Sequence, residues 1–392
     1  MRNLCLKPHQ DTRLKQGHLW IFSNEVDTGK TPLTDFEIGE DVNVADAKGQ
    51  ILGSATINPN SLITARIHAK RPNTPLDCDL LRQRLECALN FRQSLFAKPF
   101  YRLLHAEGDF LPGLILDRYG DYVTLELNTQ ALEKRKELLL EIIQDVLKPK
   151  GIALINAVPV RSLENLSLEN QFLGDLPDYL ELPENGATFT VPLKSGQKTG
   201  WFYDQRENRL LAANLAKGRR VLDACCYLGG FGVLGALHGA KEVTLLDASA
   251  KALELAAQNV EHNAKGSLKE TLQGDVFEIF GQLVARKTTF DLISIDPPAL
   301  IKRRKDVAIG LAAYRKLNSL AIKLLAKDGI LVSSSCSYHL TAESLRQAIL
   351  RGAHKAQKSV QLLAYGRQGY DHPELLGMPE TSYLKCYIAK IS

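Results

Sequence analysis

Five short apolar runs recur between residues 220 and 335, at 220–224, 242–247, 268–274, 290–296 and 329–335, and helix-like patterns separate them. Strands that alternate with helices fold as repeated crossovers. The region 186–392 is therefore expected to be α/β, a mostly parallel, doubly wound sheet with helices on both faces. Two further runs, 360–365 and 383–391, have no clear helix between them and should close the seven-stranded sheet with an antiparallel hairpin at one edge.

The rest of the chain is organised differently. A length of 392 residues exceeds one ordinary core and calls for two or three domains. Residues 1–75 read as a small β-rich unit, with short apolar runs around Val42, Val44, Ile51 and Leu52 and a hairpin turn at Lys48-Gly49. Residues 76–185 read as an α+β domain. Leu81, Leu85, Ala88, Leu89 and Phe91 recur at helical spacing within 80–96, and a second helix is expected over 132–147, stopped by Pro149. Strands are expected at 114–116 and 122–127, split by the turn Tyr119-Gly120-Asp121.

Bulk numbers exclude several classes. The formal net charge of +5 is compatible with nucleic acid without indicating it. Seven scattered cysteines, an odd count with no C-x-x-C pair, signal neither a disulfide framework nor a metal site. No apolar run approaches the ~20 residues of a membrane span, and the N-terminus has no signal-peptide core. A reducing cytoplasm and no membrane partner are the expectation.

Residues 221–232, V-L-D-A-C-C-Y-L-G-G-F-G, form an apolar strand, an acidic residue and a glycine-rich turn into a helix. This is not the dinucleotide fingerprint, which sets its glycines directly after the strand to cradle pyrophosphate. A carboxylate at Asp223 suits a cationic ligand such as an amino-acid ammonium, which favours S-adenosylmethionine over a nicotinamide nucleotide. Asp247 ends the next strand, where an acidic residue binds ribose hydroxyls. Asp275 follows the third and could accept from an adenine amino group, and Asp296 closes the fourth. With Tyr227, Gly229 and Gly230 of the turn, these carboxylates form the expected cofactor site. Helix N-capping is the structural alternative, most of all for Asp275.

The fourth strand ends in D-P-P at 296–298 and the fifth in S-S-S-C-S at 333–337. Neighbouring strands would bring Asp296 and Cys336 to one crevice, since ligands bind beyond the carboxyl ends of such sheets. A thiol beside a carboxylate suggests covalent chemistry on a nucleobase. Carbon 5 of a pyrimidine is too poor a nucleophile to be methylated unaided, and thiolate addition at carbon 6 activates it. That makes Cys336 a candidate nucleophile and Asp296 a candidate partner of the ring, with a packing cysteine and a turn cap before Pro297 as the alternatives. Cys225 and Cys226 are the competing thiols.

Three blocks carry a resemblance over essentially the whole chain. They are G-H-L-W-I-F-S-N-E-V at 17–26, H-A-E-G-D-F-L-P-G-L-I-L-D-R-Y-G-D-Y at 105–122 and S-G-Q-K-T-G-W-F-Y-D-Q-R-E-N-R at 195–209. The chain resembles the bacterial 23S ribosomal RNA 5-methylcytosine methyltransferases with an N-terminal PUA domain. The resemblance implies a PUA-like RNA-binding domain at 1–75 and a class I methyltransferase domain at 186–392. It also implies S-adenosylmethionine as cofactor, 23S ribosomal RNA as partner, Cys336 as nucleophile, Lys198 and Phe202 as cofactor-pocket residues, and a homodimer. Cys225 and Leu228 depart from the family pattern, which has an aromatic residue and a threonine there. RNA phosphates would meet Lys302, Arg303, Arg304 and Lys305, which follow D-P-P directly. Lys15 and Trp20 could add a charge and a stacking face, although a core position is the alternative for Trp20.

Two other functions compete. A nitrogen-directed methyltransferase would use D-P-P alone and leave Cys336 as packing. An RNA-binding protein could keep the fold without activity, against which the intact carboxylates argue.

Overall fold

The structure, a computed structural model, describes residues 1–196 and 199–392. The chain divides into two compact units. One comprises 1–179, 192–203 and 370–382, and the other 180–191, 204–369 and 383–392.

The first unit holds two sheets. Strands β1 (Arg2–Cys5), β2 (Trp20–Phe22), β3 (Asp41–Ala45), β4 (Ile51–Ile57) and β5 (Ile63–Ala69) lie in the order β1-β3-β4-β5-β2. Leu4, Ile21, Val42, Val44, Ala55 and Ile57 fill its core. The expected turn sits between β3 and β4, where Gly49 takes φ +87° and the Asp46 carboxylate accepts from Lys48 N and Gln50 N, both at 2.9 Å. Strands β6 (Phe100–His105), β7 (Leu114–Tyr119), β8 (Tyr122–Leu127), β9 (Gly151–Leu154) and β10 (Gln171–Gly174) form the second sheet. Gly120 turns the β7–β8 hairpin at φ +66°.

Two helical expectations need correction. The helix Cys78–Leu95 buries Leu81, Leu85 and Ala88, but Phe91 is 48 % exposed, and Arg92 takes the next inward position. A guanidinium can be buried there because Asp109 accepts from it at 2.6 and 2.7 Å and the Asp371 carbonyl at 2.9 Å. The second helix is two pieces, Gln130–Glu133 capped by Thr129 and Lys136–Leu147, which ends as Lys148 turns left-handed before Pro149.

The second unit contains a hairpin, β11 (Tyr179–Glu184) and β12 (Ala187–Pro192), turned by Asn185 and Gly186 at positive φ. Its main sheet comprises β13 (Arg220–Ala224), β14 (Glu242–Asp247), β15 (Leu268–Gln273), β16 (Phe290–Ile295), β17 (Leu325–Ser335), β18 (Val360–Gly366) and β19 (Lys385–Ile391). The order is β15-β14-β13-β16-β17-β19-β18. The first five strands are parallel, and β19 runs antiparallel between β17 and β18. Winding reverses between β13 and β16, the place where an open α/β sheet leaves a crevice. One large apolar cluster, including Leu222, Ile293, Ile295, Tyr314, Leu317 and Leu331, packs one face of this sheet.

Candidate active site

The glycine-rich turn after β13 is held by carboxylates of its own unit. Asp223 is 1 % exposed; one oxygen accepts from Gly232 N and the other from the Ser294 hydroxyl, each at 2.8 Å. Asp223↔Ser294 is also a register pair between β13 and β16, so sheet pairing places that hydroxyl. Asp247 accepts from Tyr227 N at 2.8 Å and Ser249 N at 2.9 Å, one main-chain donor per oxygen. Cys225 and Tyr227 take φ of +59° and +49°, and Gly229 takes +82°. Left-handed non-glycine residues cost energy and gather at functional turns.

The acids are strongly perturbed. Burial pushes the Asp223 carboxyl up to about 6, against its hydrogen bonds from Gly232 and Ser294. Burial, then the negative charge of Asp204, pushes Asp296 up to about 7, opposed by Arg209 and a hydrogen bond from Gln205. Asp296 is therefore partly protonated near neutrality. Asp204 is itself held by the Tyr383 hydroxyl at 2.6 Å.

Cys336 lies just past β17, whose register with β16 pairs Ile295 with Ser333, so Asp296 and Cys336 leave neighbouring strand ends. The thiol is half-buried between Ser335 and Ser337, each 0 % exposed. The competing thiols sit in hostile surroundings. Burial and then the charges of Asp247, Asp296 and Asp223 raise Cys225, and burial with Asp223 and Asp247 raises Cys226. Burial pushes Cys386 up to about 12. A thiolate is disfavoured at all three.

The other residues singled out from the sequence scatter. Asp275 is exposed and caps the helix Val276–Ala285, accepting from Phe277 N at 2.8 Å and Glu278 N at 3.3 Å. Gly230 has a packing reason, because a Cβ there would stand 2.5 Å from Arg209 Nε. Lys302, Arg303, Arg304 and Lys305 are all exposed ahead of the helix Val307–Leu324, and Arg303 pairs with Asp306 at 2.9 Å. In the first unit, Lys15 pairs with Asp11, and Trp20 is half-buried with its indole N–H donating to Glu107 at 2.8 Å. Phe202, half-buried, also groups with that unit, and Lys198 lies outside the described residues.

Sequence reasoning missed the cation of the site. Arg209, 4 % exposed, donates to Glu184 at 2.6 Å, and its charge lowers both Asp223 and Asp296. Glu184 is on β11, ahead of the recognised strand pattern; the block at 195–209 was the available signal for Arg209.

Residues 4–70 match the model of a PUA-like domain, and residues 166–360 match that of S-adenosylmethionine-dependent methyltransferases. The ribosomal RNA large subunit methyltransferase I of Yersinia pseudotuberculosis is 33 % identical over 394 residues, covering 99 % of both chains. The chain belongs to that methyltransferase family. The Yersinia pestis protein of the same name matches at the same identity and coverage. Among solved structures, SMU.776 complexed with SAH superposes with a TM-score of 0.85 over 100 % of both chains at 22 % identity. The fold is thus an N-terminal PUA-like β domain and a C-terminal methyltransferase domain, and the family's cofactor is S-adenosylmethionine. The site's chemistry fits that group. Asp247 is oriented by two main-chain donors and keeps lone pairs for hydroxyls, and its bond from Tyr227 N ties it to the left-handed turn at 225–229. Among the described residues, no helix is long and apolar enough to cross a membrane, and no cluster of His, Cys, Asp or Glu could hold a metal ion.

Proposed function

We propose that the protein methylates carbon 5 of a cytosine in 23S ribosomal RNA through a covalent bond from Cys336 to carbon 6. The observation that carries this reading is the contrast among thiols. Cys336 is half-buried at the strand end beside that of Asp296, whereas burial pushes the thiols of Cys225, Cys226 and Cys386 up and so suppresses their ionisation. The rRNA substrate is read from the printed name of relatives that align along nearly the whole chain. The cytoplasm is the expected compartment, and a homodimer belongs to the same reading.

S-adenosylmethionine, when bound, supplies the methyl carbon on a sulfonium; Asp247 would hold its ribose and the turn at 225–230 its amino-acid end. Cys336 Sγ adds to carbon 6, and the electron pair moves toward carbon 5, which becomes nucleophilic. The Asp296 carboxyl, poised near 7, donates to ring nitrogen 3 as charge builds and recovers its proton afterwards. Loss of the carbon 5 proton to water re-forms the C5–C6 double bond as the C6–S bond breaks, its electron pair leaving on sulfur as the thiolate. The base must leave its stack to reach Cys336, at a cost of a few kcal/mol. Lys302, Arg303, Arg304 and Lys305, all exposed, would meet phosphates, which position RNA without reading its sequence. Lys15 and Trp20, already engaged by Asp11 and Glu107, carry less of that proposal.

The test compares Cys336→Ala with wild type, using tritiated donor on unmodified large-subunit RNA and mass spectrometry of the product nucleoside. The expected result is 5-methylcytidine from wild type and a loss of at least ~10³-fold in the variant, the scale set by removing a nucleophile. Unimpaired transfer, or an N-methylated product, contradicts the reading.

A further inference from the structure

Ser333, Ser334, Ser335 and Ser337 are 0, 1, 0 and 0 % exposed. Hydroxyls in a core cost free energy unless paired, and alanine or valine would fill those positions more cheaply. Two of them are spent on one task. The Ser335 hydroxyl donates to the Tyr314 phenol at 2.7 Å, and the same phenol meets the Ser337 hydroxyl at 2.9 Å. Ser337 N donates back to the Ser335 hydroxyl at 3.1 Å. One phenol, itself 1 % exposed, thus clamps both residues that flank Cys336.

The clamp reaches the loop that carries Asp296. Ile301 N, five residues past that carboxyl, donates to the Ser337 hydroxyl at 3.1 Å. The D-P-P loop and the thiol turn therefore share a hydroxyl, which fixes one against the other.

Lys385 completes the arrangement from β19. It pairs in register with Ser335, is only 7 % exposed, and its ammonium donates to the Ser337 carbonyl at 3.0 Å and the Tyr383 carbonyl at 2.9 Å. Burying an ammonium is expensive, and a neutral side chain would suffice for packing. Its charge lies within a residue of Cys336, in a low-dielectric setting where a cation favours thiolate. Asp296 leaves the neighbouring strand end, but burial pushes its carboxyl up to about 7, so near neutrality its charge opposes the thiolate only in part. Cys225 and Cys226, in contrast, feel the charges of Asp223 and Asp247.

We propose that Tyr314 and Lys385 are positioning residues for Cys336: the phenol fixes the turn that presents the thiol, and the buried ammonium favours its ionised form. The assignment rests on the reading of Cys336 as nucleophile, but its consequence for the thiol is measurable without turnover. The rate of iodoacetamide alkylation of the Cys336 peptide is followed by mass spectrometry against pH in the full-length protein. Lys385→Met should move the midpoint upward by about one pH unit, within the range over which a neighbouring cation shifts a thiol, and Lys385→Arg should restore it. A folded Lys385→Met protein with an unmoved midpoint overturns the role of the ammonium. Tyr314→Phe deletes a single oxygen and is the variant to rely on if Lys385→Met does not fold. It should lower kcat about tenfold, the loss expected when a held geometry loosens, with KM for RNA unchanged. Unchanged kcat overturns the clamp. Should Cys336→Ala retain transfer, the nucleophile reading fails by itself, while the alkylation midpoint still reports what Lys385 does to the thiol.

Discussion

Asp296 stores a conflict between folding and ionisation. Its carboxyl is pushed from an ordinary 3.8 to about 7 by burial and Asp204. A carboxyl raised in the folded state binds its proton more tightly there than in the unfolded chain. Its contribution to stability is thus complete at low pH and is lost as pH rises from about 4 through about 7. Asp223, pushed up to about 6, acts in the same direction over a narrower window. The expected outcome is that urea midpoints of wild type fall between about pH 4 and 7, and that Asp296→Asn flattens this fall while abolishing methyl transfer. Parallel pH profiles for the two proteins would show that Asp296 does not carry the conflict. At this scale the acids and Cys336 were legible because each ends an apolar run. Arg209 and Glu184 were not, because their pairing joins a hairpin to a distant helix. Nor were the left-handed Cys225 and Tyr227, since no residue type announces positive φ at a non-glycine position.

Elements were legible where punctuation and periodicity agreed. The strand and helix alternation of the second unit follows the expected runs closely, with β17 beginning early, at Leu325. Phe91 and Arg92 show where periodicity is insufficient. A stripe of apolar spacing pointed inward, but a buried ion pair with Asp109 outcompeted the ring for the inner position. Asp275 belongs to this scale as well. Its carboxylate accepts two main-chain N–H groups at the start of Val276–Ala285, so Asp275→Ala should cost about 1 kcal/mol of stability, the usual worth of such a cap. Calorimetric titration of the same variant should show S-adenosylmethionine binding unchanged. A drop in affinity with no change in stability would instead assign Asp275 to the adenine.

The whole molecule joins a chain of formal charge +5 to a family that modifies large-subunit RNA in its named relatives. Its four consecutive basic residues, 302–305, are all exposed, and Arg303 is paired with Asp306. Replacing all four with alanine should weaken RNA binding uniformly across sequences. It should also reduce the slope of log affinity against log salt by about one for each phosphate no longer neutralised. An unchanged slope would remove the quartet from the interface. The sequence implied contiguous domains, whereas segments 192–203 and 370–382 group with the N-terminal unit. Long-range returns of this kind are set by tertiary packing, such as Arg92 meeting the Asp371 carbonyl, and leave no local signature.

The proposed chemistry turns on a bond between sulfur and an extruded cytosine. Large-subunit RNA transcribed with 5-fluorocytidine has no removable carbon 5 proton, so the bond, once formed, cannot resolve. Incubated with protein and S-adenosylmethionine and run on a denaturing gel, it should give a protein–RNA species whose cross-linked peptide maps to Cys336, absent in Cys336→Ala. No adduct with wild type under conditions where ordinary RNA is methylated, or an adduct mapped to another cysteine, would contradict the account.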